Sequence, residues 1–69
     1  MRPDEQQILR ILAEAGEPMF ASEISQSLNA ELVSGVDYSP SEVIKHLQSL
    51  PEYVVQVGDG RWTLKRLLR

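Results

Sequence analysis

The stretch Ser39-Pro40-Ser41-Glu42 and the run Tyr53 to Leu64 that follows it constrain the fold of this chain more than any other feature. Ser39 is placed to cap a helix and Pro40 suits the first helical position. Glu42, three residues after the serine, completes a capping box in which the two side chains satisfy backbone donors left unpaired at a helix start. The spacing predicts a helix over Ser39 to Leu50, stopped by Pro51. Beyond it, Asp59-Gly60 is a preferred two-residue hairpin turn, and a turn there pairs Val57 with Trp62, Val55 with Leu64 and Tyr53 with Arg66. On that register every apolar residue except Val54 faces the core, while Val54, Gln56, Thr63 and Lys65 face water. A three-residue bulged loop is the alternative turn.

Two helical patterns precede this unit. Ile8, Ile11, Leu12 and Ala15 recur at helical spacing over about Asp4 to Ala15. Asp4 and Glu5 suit the electropositive start of that helix and Gly16 supplies its stop. Glu17-Pro18 forces an extended connection. From about Ala21, Ile24, Leu28 and Leu32 repeat at i, i+4, with an end at Gly35 or, on a shorter reading, at Asn29. The expected architecture is therefore α+β: three helices and a C-terminal two-stranded hairpin in a single domain over 1–69, with its core over about 4–65 and a basic tail at 66–69.

A chain of 69 residues buries only about 60% of the surface its unfolded form exposes, which leaves no room for a roofed catalytic cleft. With 42% hydrophobic and 25% charged residues, the composition is that of an ordinary globular protein. There is no cysteine, so disulfides and thiolate chemistry are excluded. The early acids, with no apolar run of signal-peptide length behind them, make a cytoplasmic location without membrane insertion the expectation. Net charge is -3 but unevenly spread. All ten acids lie within residues 1–59, beside only Arg2, Arg10 and Lys45. Residues 60–69 carry Arg61, Lys65, Arg66 and Arg69 and no acid. An anionic partner is expected to meet the C-terminal end.

The order helix, Gly16-Glu17-Pro18-Met19, helix, Ser39-Pro40-Ser41-Glu42 helix, then a hairpin ending Gly60-x-Trp62-x-Leu64, resembles winged helix-turn-helix domains. The likeness is greatest to the HARE-type group, which includes the N-terminal domain of the bacterial RNA polymerase delta subunit. The resemblance implies a three-helix core with a β-wing, a third helix presented as a recognition helix, and a wing that can lie along a phosphate backbone. Two features depart from the compact pattern: the connection before the third helix, from about Ser34 to Tyr38, exceeds a tight turn, and the third helix is poor in base-reading side chains.

On a wheel of the third helix, Val43, Ile44, Leu47 and Leu50 form the buried side and Ser41, Glu42, Lys45 and Ser49 the opposite one, with His46 and Gln48 at the flanks. The nucleic-acid reading assigns Ser41, Lys45, Gln48 and Ser49 to backbone or base contacts. It assigns Arg61, Lys65 and Arg66 to phosphate contacts that are weak, salt-dependent and indifferent to sequence. The competing reading is a solvated helix face in which Glu42 pairs with Lys45 or His46, with basic residues that only solubilise the tail. His46 reads as a partly covered surface histidine, because acid-base or metal chemistry needs an oriented partner and there is no second histidine or cysteine. Gly58-Asp59-Gly60 reads as a turn between strands and not a phosphate loop, which leads into a helix. Trp62 reads as core. No catalytic, cofactor or metal set emerges, so an enzyme is not the expectation. Leu67 and Leu68, with Met19 and Phe20, exceed what a small core needs and suggest a protein partner or a homodimer. Two functions follow as expectations: a weak DNA-binding domain in a transcription-related setting, or a protein-interaction module that binds no nucleic acid.

Overall fold

A computed structural model describes residues 2–31 and 37–67. The elements run α1 (Pro3–Ala15), α2 (Ala21–Glu31), α3 (Pro40–Gln48), β1 (Val54–Gln56), β2 (Trp62–Leu64) and a terminal 3-10 turn (Lys65–Leu67). Three helices followed by an antiparallel hairpin give the expected α+β layout of a winged helix. Leu32, Gly35, Leu68 and Arg69, to which the sequence reading assigned roles, lie outside the described residues.

Local signals account for the helices. The Gly16 backbone takes φ +67° and its N–H donates to the Leu12 carbonyl at 3.2 Å, which closes α1. At α3 the Glu42 N–H donates to Ser39 Oγ at 3.2 Å, and the Ser39 N–H donates to Glu42 Oε1 at 3.2 Å, completing the capping box. The helix ends at Gln48, two residues short of the expected Leu50, with the Ser49 N–H folding back onto the Lys45 and His46 carbonyls. Asn29 does not end α2; it sits within it, and its side chain grips the Tyr38 backbone.

The core is continuous. Ile8, Ile11 and Leu12 of α1 meet Ala21, Ile24 and Leu28 of α2, Val43 and Leu47 of α3, and Leu50, Val54, Trp62 and Leu64 beyond it. Strand β2 has a neighbour on each side. On one side it pairs with β1; on the other, the Trp62 N–H donates to the Met19 carbonyl at 2.7 Å and the Met19 N–H to the Trp62 carbonyl at 2.9 Å. The segment between α1 and α2 thus closes on the end of the hairpin.

The hairpin corrects the expected register by one residue. Val54 pairs with Leu64, Val55 with Thr63 and Gln56 with Trp62. The turn is the reason. A two-residue turn of the expected kind needs positive φ at Asp59 as well as Gly60, and only Gly60 adopts it, at +91°. The chain instead makes a three-residue loop over 58–60. The Gly60 N–H donates to the Val57 carbonyl at 3.0 Å, and the Val57 N–H to the Arg61 carbonyl at 2.8 Å. Because side chains alternate with period two, the slip exchanges the faces of β1. Val54, expected outside, is buried, whereas Val55 and Val57 are half-buried and Tyr53 is 46% exposed. Thr63, expected wet, is 1% exposed. Trp62 and Leu64 occupy the core as expected.

The loop geometry makes a specific stability prediction. No heavy atom stands within 4 Å of a Cβ built at Gly60 or Gly58, so substitution there tests backbone conformation alone. Gly60→Ala should lose about 1 kcal/mol in urea unfolding because of its left-handed backbone. Gly58→Ala should stay within about 0.5 kcal/mol of the parent.

Candidate functional site

Asp4 sits four residues before Ile8 and seven before Ile11, on the stripe that α1 turns inward, and is itself buried. A carboxylate on an apolar stripe needs partners, and it has them. Tyr38 Oη donates to Asp4 Oδ2 at 3.1 Å, His46 Nε2 lies 3.4 Å from the same oxygen, and Arg2 Nε lies 3.7 Å from Oδ1. The other ring nitrogen, His46 Nδ1, lies 3.3 Å from Glu5 Oε2, which also accepts from Ser49 Oγ at 3.0 Å. The imidazole is therefore held between two adjacent carboxylates of α1, and the Tyr38 ring meets it edge-on at 6.0 Å. Asn29 extends the network into α2: the Tyr38 N–H donates to Asn29 Oδ1 at 2.7 Å, and Asn29 Nδ2 donates to the Tyr38 carbonyl at 3.1 Å.

The hydrogen bond from His46, helped by Ser49 and the Arg2 N–H, holds the Glu5 carboxyl below its ordinary range against the opposing effect of desolvation. Burial, and then the contact with Asp4, pushes the Tyr38 hydroxyl upward. This arrangement ties the start of α1 to the last turn of α3. The carboxylates face opposite ring nitrogens, so they do not converge on one ion. Among the described residues no group of three or more potential ligands could hold a metal. The single Ser49 hydroxyl proton is shared between the Glu5 carboxylate at 3.0 Å and the His46 carbonyl at 2.7 Å.

The nucleic-acid candidates fall into three separate places. Ser41, Lys45 and Gln48 are exposed on the outward face of α3. Ser49 is exposed too, yet its hydroxyl is tied to Glu5 of α1. Glu42 does not pair with Lys45 or His46, contrary to the local pairing expected of a solvated face; its carboxylate turns back onto Ser39, and His46 takes its partners from α1.

Arg61, just past the wing loop, is occupied. Its Nε lies 2.6 Å from Asp59 Oδ2, a second guanidinium nitrogen contacts the same oxygen, and the guanidinium carbon stands 5.3 Å from the Phe20 ring centroid. The pairing lowers the Asp59 carboxyl and raises the guanidinium above its already high value, through the mutual hydrogen bond. Phe20 is 44% exposed where a polar cap for α2 is usual, and its own backbone N–H donates to Glu23 Oε1 at 2.9 Å, the return half of a capping box.

Lys65 and Arg66 begin beyond the other end of β2, with Lys65 about 13 Å from Arg61 along an extended chain. Arg66 lies against α1. There it joins Leu9, Arg10, Ala13, Tyr53 and Leu64 around an open groove of about 360 Å³. This groove was not among the sequence-derived candidates. Its signal was present in the sequence as Leu9 and Ala13, one turn apart on α1 and off the main core stripe. Leu67, beside Arg66 in the same terminal turn, is 41% exposed. Comparison with known protein families, with curated proteins and with solved structures gives no match.

The His46 clamp has a pH signature. Glu5 titrates below its ordinary value of 4.5 when folded, so it binds its proton less readily folded than unfolded. Its contribution to stability is present above pH 4.5 and is lost as the pH falls and the folded carboxylate titrates. Glu5→Gln should accordingly be less stable than the parent in urea at neutral pH, with the gap closing in acid. A gap that persists after both states are protonated would refute its ionic origin.

Proposed function

We propose that the chain is a winged-helix protein-interaction module. We place it, in keeping with its resemblance to the HARE-type group, in a transcription-related and cytoplasmic setting. The observation that carries this reading is the state of Arg61. The cation nearest the wing tip is bonded to Asp59 and stacked beside Phe20, so the wing offers a neutralised and partly apolar tip to a phosphate backbone. The acids Glu5 and Glu42 flank the start and side of α3, and Arg66 lies against α1. Phosphate binding draws its affinity from cations that act together, and these act apart. The apolar groove beside Arg66, continued by Tyr53 and Leu67, is the surface that supports partner binding.

The second reading, weak nucleic-acid binding, rests on Lys45. Its side chain is exposed between Ser41 and Gln48 and has no ion pair among the described residues. On this reading α3, not the wing, makes the contact.

Site-specific photo-crosslinking in cells separates the two. A crosslinking residue at Tyr53 or Leu67 should give protein adducts, and one at Lys45 or Gln48 should give none. Nucleic-acid adducts at Lys45, together with duplex binding in vitro that weakens between about 50 and about 200 mM salt, would replace the interaction reading with the second one.

A further inference from the structure

The groove between α1 and the end of the hairpin combines an apolar lining with one arginine that has no acidic partner among the described residues. Leu9 and Ala13 stand one helical turn apart, and Leu64 and Tyr53 line the same groove. Arg10 and Arg66 complete the lining. The two arginines differ in availability. Arg10 is shared between Glu14 at 3.3 Å and Glu31 at 3.2 Å, while Arg66 has no ion pair among the described residues. A chain with an overall charge of -3 thus sets a cation with no such partner beside an open apolar depression.

We propose that this groove binds a peptide segment of a partner protein that carries two apolar anchors one helical turn apart with a carboxylate side chain beside them. The anchors seat among Leu9, Ala13, Tyr53 and Leu64, and the carboxylate pairs with Arg66. The proposal rests on the interaction-module reading and specifies the chemistry of the partner. Charge complementarity selects this occupant. A purely apolar segment leaves Arg66 without its counter-charge at the edge of a desolvating surface, and a basic segment sets a like charge against Arg66. Arg also suits a carboxylate geometrically, since its planar fork accepts one in bidentate fashion. Tyr53, in the lining, and Leu67, beside Arg66 in sequence, are 46% and 41% exposed, so apolar surface is also available to a third anchor of an amphipathic helix with anchors at i, i+4 and i+7.

The test uses the full chain and a labelled helical peptide with leucines at i, i+4 and i+7 and glutamates beside them. Its controls are the same peptide with lysine for glutamate and the same with serine for leucine. Fluorescence anisotropy should show saturable binding of the leucine-glutamate peptide and at least tenfold weaker binding of each control, and NMR should show chemical-shift changes centred on Leu9, Ala13, Tyr53, Leu64 and Arg66. Arg66→Glu, an exposed change whose fold is checked by circular dichroism, should abolish the preference for glutamate and transfer it to the lysine peptide. Equal binding of acidic and basic peptides, or no shift at the groove at saturating peptide, overturns the proposal. So does a concentration-dependent dimer mass abolished by Tyr53→Asp, which puts a second copy of the chain in the groove. If the peptides fail while Tyr53 still crosslinks a protein in cells, the carboxylate chemistry is wrong and the interaction reading stands. If Tyr53 crosslinks nothing, that reading falls with it.

Discussion

One imidazole, held between two neighbouring carboxylates, joins the start of α1 to the last turn of α3, and much of the geometry of this small domain depends on it. The apolar core leaves the relative slide of the helices loosely fixed, because α2 packs on both α1 and α3 through interchangeable aliphatic side chains. Hydrogen bonds are directional where apolar contacts are not. Asp4 and Glu5 approach opposite nitrogens of His46, which fixes the ring in rotation as well as position. Tyr38 then bonds Asp4 and is itself gripped by Asn29, so three helices and the approach to α3 are locked by one network. A hydrogen bond to a charged group contributes about 1.5–3 kcal/mol. A domain of this size has only a few kcal/mol in total. Loss of one member also strands the others away from water, which raises the cost of any local opening.

A second constraint sits at the opposite side of the core. Strand β2 is shared between β1 and Met19, so the segment after α1 and the last strand are hydrogen-bonded neighbours despite their separation in sequence. Both edges of β2 are hydrogen-bonded at Trp62 as a result, and all three of its side chains, Thr63 included, are buried. The same pairing brings Phe20, next to Met19, under Arg61, next to Trp62. The electrostatic state of the wing is thus partly a by-product of how the sheet closes. Arg61 is drawn toward Asp59 on its own loop and toward an aromatic ring from the other end of the fold.

These features were not equally legible in the sequence. The start of α3 was readable because a capping box is local: Ser39, Pro40 and Glu42 specify it without reference to anything distant. The closure of α1 at Gly16 was readable for the same reason. The hairpin was readable as a hairpin, but its register was not. Asp59-Gly60 and Gly58-Asp59-Gly60 both make acceptable turns, and one residue of difference reverses every side chain of β1. What decided between them is burial of Val54 against the core, a tertiary matter. The clamp was missed for a related reason. His46 was read against its own helix, where Glu42 is the nearest acid, although its partners come from α1. The clue lay in Asp4, whose place on the stripe with Ile8 and Ile11 turns a carboxylate inward where the helix start alone would have kept it solvated.

Charge counted along the chain likewise differs from charge arranged in space. Residues 60–69 carry four bases and no acid, and in sequence they form one basic block. In the fold that block is divided by β2. Arg61 stays at the wing, where Asp59 neutralises it, and Arg66, exposed, lines the groove with Leu9 and Ala13 of α1. A strand of only three residues suffices to separate them, because an extended backbone spans about 10 Å over that length, comparable to the distance at which salt screens exposed charges. Cations separated in this way do not sum to one attractive field. Each sits in its own surroundings, Arg66 beside the apolar lining of the groove and Arg61 against the ring and carboxylate that hold it.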